Sequence, residues 1–133
     1  SVGLPVLVQL HPSARESKDS LQKLFPQLKF SSNNISTCLK NSILTISYSS
    51  TVIEDALYSK VPVILFDQWK RYQHCHAETD PSTENKAVYY VTDFEGLNEA
   101  TRTVISSKNT EFSEYIVPRD SSKNFGILLK EIL

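Results

Sequence analysis

The stretch Ser42–Asp67, "SILTISYSSTVIEDALYSKVPVILFD", decides how the chain is read. It holds two short runs rich in Ile, Leu and Val, "SILTIS" (42–47) and "VPVILF" (61–66), which have the composition of strands. Between them, residues 52–59 place Val52, Ile53, Ala56 and Leu57 on one helical face. A strand, a helix and a second strand over this length predict a βαβ crossover, the connection that parallel strands require.

The same alternation extends outward. "PVLVQL" (5–10) and "AVYYV" (87–91) are further strand-type runs, and "LKF" (28–30) reads as a short edge strand. Residues 15–25 set Leu21, Leu24 and Phe25 at helical spacing before Pro26 stops the pattern. "NNISTCLKN" reads as a short helix capped by Asn33 or Asn34. Residues 95–106 and 122–132 read as amphipathic helices, with a turn of helix over 110–116 between them. The expectation is an α/β fold, a Rossmann-like open parallel sheet flanked by helices, forming a single domain over residues 1–133. Two of the runs are nearly continuous in apolar residues, the mark of strands buried on both faces.

Composition limits the function. The 133 residues are 40% hydrophobic and 22% charged, values of an ordinary globular domain, with no internal repeat or low-complexity linker. No apolar run approaches the roughly 20 residues of a membrane-spanning helix, and the start does not read as a signal peptide. The net charge is −1 and the Lys and Arg residues are scattered, which argues against a nucleic-acid groove. Without a secretory signal, Cys38 and Cys75 are expected as free thiols in the cytoplasm, and the sequon at Asn34 as chance.

In open parallel sheets ligands gather where strand ends turn into helix starts. Two polar stretches fall at such places: "LHP", with His11, and "SYSST", with Ser49, Ser50 and Thr51. Hydroxyls at a helix start add donors of their own to the backbone N–H groups, so they suit a phosphate where no Gly-rich loop exists. His11 adds a donor that titrates near neutral pH. Taken alone, however, Thr51-Val52-Ile53-Glu54 is a capping box, and His11 is satisfied equally by a neighbouring carbonyl.

Together, "LHP" and "LKNSILTISYSSTVIEDALYSKVPVILFD" (39–67) resemble the C-terminal, nucleotide-binding half of GT-B glycosyltransferases with HP and Ser-Ser motifs. The resemblance covers about residues 5–106 and points to capsule and cell-wall polymer enzymes, among them CDP-glycerol glycerophosphotransferases and bacterial sialyltransferases. It implies an N-terminally truncated GT-B domain, a fragment of a two-domain cytoplasmic enzyme of polysaccharide biosynthesis that works at the inner face of the membrane. Its partners would be a nucleotide-activated sugar or glycerol donor and an N-terminal acceptor domain, and the fragment alone would be inactive. Carried onto matching residues, it implies His11 as the catalytic group at the leaving phosphate. Ser49, Ser50 and Thr51 would hold that phosphate, and Glu54 the ribose hydroxyls. Asp67, Gln68 and Tyr72 would sit at the donor sugar, with no cofactor and no essential metal.

One further cluster, "RYQHCHAETD" (71–80), gathers His74, Cys75, His76, Glu78 and Asp80, but lacks the paired, separated ligand segments of structural zinc sites and reads as a polar loop. Trp69 reads as a packing residue, with an aromatic beside a sugar or base as the alternative. The competing function is a non-catalytic flavodoxin-like or receiver-like interaction module. A receiver needs clustered acids at strand ends, whereas His11, Ser49 and Asp67 stand there. A hydrolase triad is the weaker reading still, since no G-x-S-x-G elbow occurs.

Overall fold

A computed structural model of the chain describes residues 5–10, 16–31, 34–47, 52–71, 73 and 75–115. The elements run β1 (Leu7–Gln9), α1 (Lys18–Leu24), β2 (Lys29–Ser31), α2 (Ile35–Lys40), β3 (Thr45–Ser47), α3 (Val52–Tyr58), β4 (Val63–Phe66), β5 (Val88–Val91) and α4 (Phe94–Ser106). The protein is α/β, and every strand pairing is parallel. Among the described residues the strands form two sheets where the sequence suggested one, and the chain divides into two compact units at Ile43 and Leu44.

In the first unit β1 and β2 pair with Val8 opposite Phe30, and α1 connects them. Gln22 Nε2 donates to the Leu28 carbonyl at 2.8 Å, which fastens the helix to the start of β2. Leu10, Phe30 and Leu39 are buried. Asn34 caps α2, its side chain accepting from the Ser36 N–H at 2.8 Å. Of the two asparagines expected there, Asn34 takes the role. Cys38 on α2 donates from Sγ to Gln9 Oε1 at 3.2 Å, and both cysteines are free.

The second unit is the sheet β3-β4-β5. Its register sets Ile64 between Ile46 and Tyr89, and Leu65 between Ser47 and Tyr90. Side chains alternate across a strand, so Ile64 and Phe66 share one face and Val63 and Leu65 the other. The first face forms a core with Tyr89, Val91, Ala100 and Val104, covered by α4. Val63 and Leu65 are 0% and 1% exposed, so the opposite face of β4 is covered as completely. Helix α3 packs on β3 and β4 and buries Ile53, Ala56 and Leu57, close to the apolar face expected.

The turn from α3 into β4 is tight. Lys60 N–H donates to the Leu57 carbonyl at 3.0 Å and Val61 N–H to the Ala56 carbonyl at 2.8 Å, the paired bonds of a Schellman ending. Lys60 takes φ 58°, in the left-handed region that glycine adopts without strain. Pro62 follows and prevents the helix from continuing.

From β4 to β5 the described residues of the crossover form no helix. The crossover places Glu78 on the outer edge of β5, where the Glu78 N–H donates to the Val88 carbonyl and Tyr90 N–H donates back to Glu78. This single bridge covers part of an edge that would otherwise present unpaired groups. The Tyr89 hydroxyl donates to the Thr83 carbonyl, and the buried Thr103 hydroxyl lies 2.6 Å from the Pro81 carbonyl, so the core and α4 both hold the crossover. The helix expected over 122–132 lies outside the described residues.

Two opposite effects on stability follow, both measured by urea denaturation. Lys60→Gly removes the left-handed strain and is expected to stabilise the protein by about 1 kcal/mol. Ile64→Ala, in the fully buried centre of the sheet, is expected to cost about 2–5 kcal/mol.

Candidate functional site

Because β3, β4 and β5 are parallel, their carboxyl ends lie along one edge of the sheet. Ser47 closes β3, Phe66 closes β4 and Val91 closes β5. This edge is where the general rule for open parallel sheets puts a ligand. His11, Ser49, Ser50, Thr51 and Tyr72 lie outside the described residues. Glu54, Asp67 and Gln68 are placed.

Glu54 stands exposed in the first turn of α3 beside Asp55. In chain order that turn is the first described structure after the carboxyl end of β3. Carboxylates in a first turn are also favoured by the helix dipole, which accounts for both acids without a ligand.

Asp67 is held more firmly. It is 1% exposed, its N–H donates to the Val91 carbonyl at 2.9 Å, and its Oδ2 accepts from the Tyr90 hydroxyl at 2.7 Å. Asp67 and Tyr90 lie on the face of the sheet opposite Ile64, and a carboxylate buried there requires the phenol. The Asp67 carbonyl then accepts from Lys70 N–H at 3.1 Å and closes a turn over residues 67–70. Gln68 and Trp69 form the exposed middle of that turn. Trp69 is 73% exposed, against the packing role its composition suggested, and Arg71 stacks over its ring at 5.4 Å from the centroid. Nothing in the sequence separates a buried from an exposed tryptophan after an apolar strand; the turn closed by Asp67 does.

Beside these residues is an open groove of about 430 Å³, lined by Thr79, Tyr90, Thr92, Asp93, Glu95 and Glu99 among others. Asp93 caps α4, its Oδ1 accepting from the Gly96 N–H at 2.7 Å. A Cβ on Gly96 would come within 3.1 Å of that oxygen and 3.3 Å of Val91 Cβ, so any larger residue needs the cap or the strand to give by a few tenths of an ångström. Three carboxylates make this groove a poor seat for phosphate and a source of acceptors for hydroxyl or amino groups. The groove was missed in the sequence. Its signal was "VTD" at 91–93, a strand end running into an N-cap, the same pattern that drew attention to Ser49–Thr51.

The 71–80 cluster is taken apart by its partners. Asp80 accepts from Ser82 N–H at 2.9 Å and Ser82 Oγ at 2.6 Å, which holds its carboxyl below the usual range in a local turn. His76 Nε2 lies 3.2 Å from Glu114 Oε1, and its carbonyl accepts from Tyr115 at 2.7 Å. Burial, with the charge of Glu114 second, pushes the Tyr115 phenol up to about 12. Among the described residues no group of three or more His, Cys, Asp or Glu is disposed to hold a metal ion, and His74 lies outside them. Also among them, no helix is long and apolar enough to cross a membrane.

No family model matches the chain, and neither characterised proteins nor solved structures give a match to it.

Burial pushes the Cys75 thiol up, opposite to what a nucleophile needs. With Cys38 replaced by Ala, Cys75 is expected to react with iodoacetamide at neutral pH several-fold more slowly than a free thiol; a rate equal to or above that of the free thiol contradicts this.

Proposed function

We propose that this chain is the nucleotide-binding part of a metal-independent GT-B glycosyltransferase or glycerophosphotransferase of surface-polysaccharide biosynthesis, with a Rossmann-like arrangement of its second unit. The supporting observation is the β3–α3–β4 unit. Its strands are parallel, its helix begins at Val52, and Glu54 stands exposed in the first helical turn, in the segment that carries the resemblance.

In this reading Ser49, Ser50 and Thr51 donate hydrogen bonds to the phosphate of the donor. Glu54 accepts from the ribose hydroxyls, and Gln68 and Tyr72 face the activated sugar or glycerol. Asp67 acts at that sugar through the turn it closes, since its own carboxylate is engaged with Tyr90. His11 donates a hydrogen bond, and when protonated a charge, to the leaving phosphate as the bond to the transferred group breaks and the acceptor hydroxyl replaces it. Stabilising a departing phosphate by such preorganised donors is an established means of catalysis without a metal ion. The acceptor site belongs to the other half of a GT-B enzyme, so binding, and not transfer, is the property to measure.

Isothermal titration with CMP, CDP, UDP and GDP is expected to show saturable binding of at least one nucleotide. Ser50→Ala and His11→Ala should each weaken it by about tenfold or more, the loss expected for one hydrogen bond to a charged group. Absence of saturable binding to all four contradicts the proposal.

A further inference from the structure

Trp69 is the most exposed large apolar side chain among the described residues, and it is not on a frayed end. It stands in a turn whose root is buried. Asp67 is fixed by Val91 through its backbone and by Tyr90 through its carboxylate, and the turn closes from Lys70 back to Asp67. Lys70 itself is held at φ 53°, a left-handed conformation that a lysine adopts at a cost. A rigid base therefore presents an indole to solvent at the carboxyl end of the central strand, where water would favour hiding it. Arg71 stacks on one side of the ring. With one side partly covered and 73% of the residue still exposed, the other side of the ring is open. Lys70 and Arg71 follow the indole directly in sequence, in a protein whose neighbouring groove is lined by carboxylates.

From this geometry we infer that Trp69 is the stacking platform for the planar base of a nucleotide, with Arg71 positioning the indole and the Lys70 ammonium attracting the nucleotide's charge. The inference rests on the nucleotide reading given above and supplies its base-recognition element. An indole face matches the π face of any base, so the platform contributes affinity without selecting one base strongly. Tyr90 joins the platform to the groove, since its hydroxyl holds Asp67 and the residue lines the groove wall.

Trp69 is the chain's single tryptophan, so its fluorescence reports on this position alone. The test titrates the 133-residue chain with CDP, UDP and GDP, and with ribose 5-phosphate as a ligand that lacks a base, following heat and tryptophan fluorescence together. Bound nucleotide is expected to quench the fluorescence, and ribose 5-phosphate to leave it unchanged. Trp69→Ala should weaken nucleotide binding by about tenfold, within the range measured for stacking of one base, and leave ribose 5-phosphate binding as it was. Trp69→Phe, which keeps an aromatic face, should recover most of the loss. Heat of nucleotide binding with unchanged fluorescence and an unaffected Trp69→Ala overturns the platform while the nucleotide reading stands. An equal loss for ribose 5-phosphate also overturns it, as does quenching by anionic phospholipid vesicles and not by nucleotides. No heat with any nucleotide overturns both.

Discussion

The second unit depends on the burial of β4 through Val63, Ile64 and Leu65. This strand has a parallel neighbour on each side and apolar cover on each face, and Val63, Ile64 and Leu65 are at most 1% exposed. Such a strand has no solvent-facing surface on which a polar side chain is tolerated, so it consists of Val, Ile, Leu and Phe until it ends. Polar chemistry is confined to the points where the strand leaves the sheet. Parallel pairing then places all such exits on one edge, since each strand must be regained by a crossover from its far end.

That constraint explains why Asp67, the first polar residue after β4, is both buried and indispensable to its surroundings. It follows the last ladder position, its N–H donates to the Val91 carbonyl, and its carboxylate accepts from Tyr90 on the adjacent strand. The residues after it are exposed as a consequence, because the turn it closes directs Gln68 and Trp69 outward. At β5 the same exit is used differently. There Asp93 caps α4, and the close packing of Val91, Asp93 and Gly96 shapes the groove. Charge differs along the edge, with Lys70 and Arg71 after β4 and Asp93, Glu95 and Glu99 after β5, so a ligand that spans it would meet cations and hydrogen-bond acceptors at separate places.

Much of this was legible in the sequence because burial writes a strong pattern. The apolar continuity of "VPVILF" and "AVYYV" fixed β4 and β5 almost to the residue, and the spacing of Ile53, Ala56 and Leu57 gave α3. The parallel pairing followed from the alternation of elements. The separation into two sheets did not, because hydrogen bonding between strands leaves no trace in composition. The bridge at Glu78, which covers part of the β5 edge, was equally invisible, since a one-residue contact has no periodicity. Of the candidate site, "SYSST" and Glu54 stood out in the sequence because polar residues after an apolar run are conspicuous. The Asp67–Tyr90 bond and the exposure of Trp69 were not, because both depend on which face of the sheet a residue takes and on how a turn closes.

The central claim is that the carboxyl edge of the β3-β4-β5 sheet receives a nucleotide. Backbone amide chemical shifts of the labelled chain, recorded with and without CDP, locate the site directly. The account predicts perturbations at Ser47, in the first turn of α3 through Glu54, and over Asp67–Trp69, with little change at the opposite edge near Val61 and Ala87. Perturbations gathered at that opposite edge, or no perturbation at saturating CDP, would contradict it.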